Sequence, residues 1–289
     1  MKIITTIEEM QQIALQLKRD ERSIGYVPTM GYLHEGHQKL MKEARANNDV
    51  VIVSIFVNPL QFGPNEDLDR YPRDEEHDRA VTQQEKVDYV FFPSVEEMYP
   101  ESHAIQLRVV ERSNVLCGKS REGHFDGVVT VLTKLFHITM PDRVYFGLKD
   151  AQQVAVVDAL VKNYNFPLEI IPIPTVREED GLAKSSRNVY LSVEERNEAK
   201  YIYQALEEGR QLVVNGETSK DKIVEKVIQF INEKTRGKID YVELLTYPNL
   251  KPIDQVSERV ILATAVYFEK ARLIDNLIFD ENGELTFHH

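Results

Sequence analysis

Two histidines three residues apart, His34 and His37, stand between a short apolar run and a helical pattern. Ile24-Gly-Tyr-Val27 reads as a strand, and Pro28, which cannot donate to a ladder, is expected to end it. Gly31 supplies backbone freedom for a turn. Beyond His37, Leu40, Met41 and Ala44 recur at helical spacing. Strand, turn and helix in that order put unpaired backbone N–H groups and the positive end of a helix dipole at the turn, which suits a phosphate. Imidazoles three apart share one face near that end. Two blander readings fit the pair alone: two metal ligands, or two surface residues. The helical His pair of zinc proteases is spaced four apart, and no convincing third cluster of ligand types stands nearby.

Three further stretches carry groups of the same kind. The β-branched run Val50–Val57 ends at Asn58-Pro59, followed by Gln61. Ligands of open α/β sheets collect at the carboxyl ends of strands. Neutral amides there both donate and accept, which suits a substrate with hydroxyls and a carboxylate; a plain turn fits equally well. Gly147-Leu148-Lys149-Asp150 repeats the strand, glycine, helix design, with Lys149 placed as a point charge for a phosphate. Asp150 could cap the helix or accept from a ribose hydroxyl, and Gln153 lies one turn on. Finally, Lys184-Ser185-Ser186-Arg187 packs two cations and two hydroxyls into four residues, an anion clamp or an ordinary polar loop.

These groups need elements to hold them. Before about Leu191, apolar strands alternate with amphipathic helices, which predicts an α/β fold with a doubly wound parallel sheet. Val50–Val57 reads as a strand buried on both faces. Asp74–Gln84 reads as a helix with a solvated face, Leu107–Val110 as a strand, and Asp126 as the cap of a helix over Val128–Ile138. After Leu191 two helices, Glu194–Val214 and Ser219–Thr235, precede three strand-like runs, Tyr241–Leu245, Val260–Tyr267 and Leu273–Phe279. They predict a smaller α+β C-terminal domain. The expected division is 1–183 and 184–289.

Composition narrows the function classes. The 289 residues are 42% hydrophobic and 28% charged, with a net charge of −12. That charge argues against general binding of nucleic acid or of an acidic membrane. No window approaches the roughly twenty apolar residues of a membrane span, and the opening residues lack signal-peptide form. A cytoplasmic location is expected. Cys117 is the only cysteine, so an intrachain disulfide is impossible, and packing is its expected role. His288-His289 are either native or a tag remnant.

The His-x-Gly-His spacing resembles the motif of adenylate-forming nucleotidyltransferases. Four ordered segments, Pro28–His37, Phe56–Pro72, Gly123–Gln153 and Thr175–Ser192, together resemble something narrower: the pantoate–β-alanine ligases (pantothenate synthetases) of vitamin B5 synthesis. The likeness extends over essentially the whole chain. Tyr32 stands where that family usually carries Ala, and Lys184 where many members carry Met.

The resemblance implies a Rossmann-like domain, a closing C-terminal lid and a homodimer. It implies a two-step ligation through pantoyl adenylate, releasing pyrophosphate and then AMP. Its substrates would be pantoate, β-alanine and ATP, with Mg2+ accompanying ATP and no protein metal ligand assigned. It makes His34, His37 and Lys149 catalytic. It assigns ATP to Met30, Gly31, Tyr32, Leu33, His34, Glu35, Gly36 and His37, to Gly147, Leu148, Lys149 and Asp150, and to Val176, Lys184, Ser185, Ser186 and Arg187. It assigns pantoate and β-alanine to Gln61, Gln153 and Asn58. One rival is a nucleotidyltransferase for a phosphorylated acceptor, which would favour Arg or Lys over the neutral Gln61 and Gln153. The other is a nucleotide-binding regulatory module, against which the retained histidines and lysines argue.

Overall fold

The computed structural model describes residues 1–64, 66 and 68–287. Asn65 and Asp67, which fall in the second of the four segments, and His288-His289 lie outside the described residues. In chain order the first elements are β1 (Lys2–Ile4), α1 (Ile7–Arg19), β2 (Ile24–Thr29), α2 (Glu35–Asn47) and β3 (Val50–Ile55). Then come α3 (Glu75–Gln84), β4 (Tyr89–Phe91), the single turn α4 (Val95–Met98), α5 (His124–Thr139), β5 (Arg143–Gly147), α6 (Ala151–Asn163) and β6 (Glu169–Ile173). The rest is α7 (Val193–Val214), α8 (Lys220–Lys234), β7 (Lys238–Thr246), β8 (Val260–Tyr267) and β9 (Arg272–Phe279).

The first six strands form one parallel sheet in the order β1-β4-β3-β2-β5-β6. This is the expected doubly wound α/β architecture. Every residue of β3 is buried, as a parallel sheet covered on both faces requires. The chain winds one way from β2 through β3 to β4 and the other way from β5 to β6. The topological switch point therefore falls between β2 and β5, which pair at Gly25 with Arg143 and Tyr26 with Val144. Val27, Met41, Val51, Val53, Val90 and Tyr145 lie in the core on one side of this sheet. The last three strands form a separate antiparallel sheet, β7-β8-β9. Its core joins Leu244, Leu262 and Phe279 to Ile202 and Leu206 of α7 and to Ile223 and Val227 of α8.

The chain divides into two compact units: residues 1–110, 121–147 and 156–173, and residues 111–120, 148–155 and 174–289. This differs from a single cut between 183 and 184, because side chains of the second unit gather in earlier segments. The Asn276 amide donates to the carbonyls of Leu148 (2.9 Å) and Lys149 (3.0 Å), and Gln152 donates to those of Arg112 and Val115.

Four local expectations need correction. Strand β2 runs through Pro28 to Thr29; on the β3 side pairing continues to Thr29, whereas the β5 side is paired only through Tyr26. Pro28 thus sits where one ladder has ended, and its missing N–H is tolerated. Leu107–Val110 is not a strand; Val110 is exposed, and the Val109 N–H is taken by the Asp126 carboxylate at 2.8 Å. Asp126 is therefore no cap: α5 starts at His124 behind Gly123, whose φ is +75°. The α3 helix is not wholly solvated on its charged side, because Asp78 is buried. Among the described residues no helix is long and apolar enough to cross a membrane.

Candidate active site

The turn after β2 is built by its own histidines. His34 is the N-cap of α2, and its Nδ1 accepts the Gly36 N–H at 3.1 Å. His37 returns the contact: its Nδ1 accepts the His34 N–H at 3.2 Å. This is a capping box made of imidazoles rather than of Ser and Glu. Because Nδ1 is the acceptor in both rings, each neutral ring carries its proton on Nε2. The ring centroids lie 4.1 Å apart. Gly36 makes this possible, since a Cβ there would stand 2.8 Å from the His34 ring. The result is a pair of oriented N–H donors at a helix N-terminus, beside the switch point of the sheet.

The loop leading into the cap is unusual. Gly31 and Tyr32 are both left-handed, with φ of +84° and +51°. The Thr29 hydroxyl accepts the Gly31 N–H and donates to the Ser54 carbonyl of β3. Asp78, from α3, accepts the N–H groups of Tyr32 (2.9 Å) and Leu33 (2.7 Å). Burial pushes its carboxyl above the ordinary range, opposed by those two bonds. Nothing in the sequence marked Asp78, since an acidic residue early in an acidic helix looks like a response to the helix dipole.

The amides expected at the end of β3 are brought to the same loop. Asn58 Nδ2 donates to Gln61 Oε1 and to the Gly127 carbonyl, both at 3.1 Å, and its Oδ1 accepts the Tyr99 hydroxyl at 2.8 Å. The Gln61 amide nitrogen then lies 3.2 Å from Met30 Sδ. Gly127 lets α5 come this close: a Cβ there would stand 2.2 Å from the Leu60 carbonyl oxygen. The Gln61 carbonyl accepts from His124 Nδ1 at 2.8 Å, which assigns Nε2 of that ring as acceptor of Arg121 at 3.0 Å. Arg121 is held in turn by both oxygens of Glu66, at 2.8 and 2.6 Å. Burial raises the Glu66 carboxyl, but the bond to Arg121 and its charge outweigh that and hold it below the ordinary value.

The remaining expected residues belong to the second unit, apart from Gly147, which closes β5. Lys149 sits in the 3-10 turn Leu148–Asp150, 3.8 Å from the Asp150 carboxylate. Asn276 pins this turn. The sequence offered one sign of it, a polar Asp-Asn pair inside the apolar run Leu273–Phe279. Gln153 lies on α6 one residue after the buried Gln152. The carbonyl of Val176 accepts the Lys184 N–H at 2.9 Å, and Arg177 bridges to Ala183, so the 176–184 segment is a tight hairpin. Lys184 pairs with Glu178 at 2.7 Å, and the Ser185 hydroxyl accepts the Arg187 N–H at 3.2 Å. Ser186 begins the short helix that runs to Tyr190.

Among the described residues no group of three or more His, Cys, Asp or Glu is placed to hold a metal ion. The His34–His37 pair is therefore not part of such a cluster. Cys117 is buried, with its sulfur 3.2 Å from the Tyr241 hydroxyl.

A doubly wound parallel sheet with a helix N-terminus capped by two imidazoles at its switch point defines an α/β protein of the nucleotide-binding type of architecture. The pantoate-beta-alanine ligase family model matches residues 2–278. The chain is 58% identical over 280 residues to the pantothenate synthetase of Geobacillus sp. (strain WCH70), covering 97% of this chain and 99% of the relative. It is 56% identical to that of Bacillus cereus (strain ATCC 10987 / NRS 248), covering 96% and 98%. The crystal structure of pantothenate synthetase from Thermus thermophilus superposes with a TM-score of 0.90 at 44% identity, covering 96% of this chain and 99% of that one. The pantoate-beta-alanine ligase of Francisella tularensis, solved with beta-gamma ATP and beta-alanine, superposes with a TM-score of 0.79 at 37% identity, over 96% and 97%. This chain belongs to the pantoate–β-alanine ligase family. It is a ligase that condenses pantoate with β-alanine using ATP.

Proposed function

We propose that this chain runs the ligation through pantoyl adenylate, with the imidazole cap on the phosphates. The pantoate carboxylate attacks the α-phosphorus of ATP, an O–P bond forms, and pyrophosphate leaves. The β-alanine amine then attacks the acyl carbonyl, the amide forms, and AMP leaves with the bonding pair. A free carboxylate is a poor acyl donor and AMP is a good leaving group, so the protein's task is alignment and charge stabilisation. The observation that carries this reading is the reciprocal His34–His37 cap, which commits both Nδ1 atoms to the backbone and places the proton of each neutral ring on Nε2.

In this reading His37 and His34 donate to phosphate oxygens and His37 is the proton donor. Met30 to Gly36 shape the nucleotide pocket with Gly147 and Leu148. Lys149 meets a phosphate and Asp150 the ribose. Gln61 and Gln153 hold pantoate, Gln61 also lies near β-alanine, and Asn58 fixes the Gln61 amide. Val176 lies on the adenine side. Lys184, Ser185, Ser186 and Arg187 clamp the triphosphate from a closing C-terminal lid, Lys184 exchanging Glu178 for phosphate. Magnesium enters as Mg·ATP; phosphates and water supply most of such a shell, so no cluster of protein ligands is required. The enzyme works as a homodimer in the cytoplasm.

The test is a mixture of protein, pantoate, β-alanine and Mg·ATP. AMP, pyrophosphate and pantothenate are expected in equal amounts; ADP in place of AMP overturns the adenylate route. Sedimentation analysis checks the dimer.

A further inference from the structure

The loop that carries the imidazoles into α2 is held from outside its own segment. Tyr32 at φ +51° is a non-glycine residue in the left-handed region. Such a residue is strained, and persists only where its surroundings enforce it. What meets it is the Asp78 carboxylate, one oxygen on the Tyr32 N–H and the other on the Leu33 N–H. Leu33 is gripped at its other end as well, its carbonyl lying 2.8 Å from His77 Nε2. The next residue is His34. Gly31 is shaped to this contact: a Cβ there would stand 2.8 Å from Asp78 Oδ2 and 3.0 Å from Ile55.

Asp78 does not serve the start of its own helix. That role belongs to Asp74, whose carboxylate accepts the His77 N–H at 3.0 Å. Asp78 is only 2% exposed and has no Lys or Arg within ion-pair reach among the described residues. A carboxylate buried without a cation is costly, and two backbone N–H bonds are what hold it there.

We propose that Asp78 is a positioning residue for the ligation, fixing through the Tyr32 and Leu33 N–H groups the angle at which the chain enters α2. The His34 and His37 donors are thereby held where the phosphates will lie. The inference rests on the reading of those imidazoles as phosphate contacts. Asp78 itself touches no reacting atom.

The experiment compares wild type, Asp78→Asn and Asp78→Glu in the AMP-release assay and by hydrogen exchange of segment 30–36. Asn keeps the size but has one acceptor oxygen and sets an NH2 against an N–H. Glu keeps the charge but displaces it. We expect both to lower kcat/KM for ATP at least about 30-fold, the effect of losing one hydrogen bond to a charged group. Exchange protection should fall in 30–36 and stay unchanged in β3 and β5. In a His37→Ala background Asp78→Asn should cost less than about threefold, because coupled residues are not additive. Activity within threefold of wild type in either variant overturns the proposal. So does full rescue by Glu, or additivity with His37→Ala. If one variant does not fold, the other carries the same comparison. Wild-type protein that releases no AMP defeats the underlying reading instead, and the exchange measurement still decides whether the clamp exists.

Discussion

The chain leaves β2 through two left-handed residues and leaves β5 through a 3-10 turn with no positive φ. Both exits lie at the carboxyl ends of neighbouring strands, yet they are held by different means. The first is braced by Asp78, His77 and Thr29, and its imidazoles are oriented by backbone N–H groups on Nδ1. The second is pinned at its carbonyls by Asn276, and its cation sits on a flexible stem 3.8 Å from Asp150. The difference separates two kinds of electrostatic work. Directional donors reward preorganisation, whereas a point charge tolerates motion.

Substitutions at the two exits can break that comparison. The largest expected loss is at the braced exit. His37→Ala should lower kcat by about 10²–10³-fold, the effect of removing a preorganised donor, checked by single-turnover pyrophosphate release. An unchanged turnover removes His37 from the mechanism. Lys149→Ala should act mainly on KM for ATP, by about 10–50-fold, with Lys149→Arg recovering part, as expected for a point charge worth roughly 1.4–2.3 kcal/mol. A loss confined to kcat would mean that Lys149 is as directional as the imidazoles.

Gly36→Ala sharpens the comparison without removing a functional group. Its Cβ would stand 2.8 Å from the His34 ring. Displacing that ring should lower kcat/KM about tenfold while Tm changes little, since a misplacement of about 1 Å is already costly to alignment. At the other exit, Asn276→Ala should act chiefly on stability. It removes two hydrogen bonds to carbonyls, one buried and one partly buried, worth about 1–2 kcal/mol together, which denaturant unfolding would read.

The smallest effect is electrostatic and lies at the Gln61 carbonyl. Glu66 is held below its unfolded value of 4.5 by Arg121. A depressed carboxyl contributes stability that is present above pH 4.5 and disappears as the pH falls through the folded value. Glu66→Gln should therefore lower stability by about 1 kcal/mol at neutral pH, and the gap to wild type should close in acid. A gap that widens below pH 4.5 contradicts that sign.

Much of the framework around the candidate site was legible because its signals are local. A glycine in the turn and helical period beyond it marked the strand, turn and helix that carry the histidines, but not that those histidines cap α2. β-branched runs marked the parallel sheet, and alternation marked β7 to β9. What failed was what depends on neighbours remote in sequence. Pro28 continues a strand because pairing on one side has already stopped. Leu107–Val110 has strand composition but no strand to pair with among the described residues, and Asp126 spends its carboxylate on the Val109 N–H rather than on a cap.

By itself the sequence determined the fold class and supplied the residue types proposed to meet the substrates. Periodicity is set by backbone geometry, and donor chemistry by the side chain alone. Only the tertiary structure decided how those donors are aimed. The orientation of His34 and His37 depends on the N–H groups of His34 and Gly36, and the strained loop leading into them is held by a carboxylate some 45 residues away. A contact across that separation has no periodicity to announce it. It exists because folding brought a buried acceptor to two backbone donors that no local partner could satisfy.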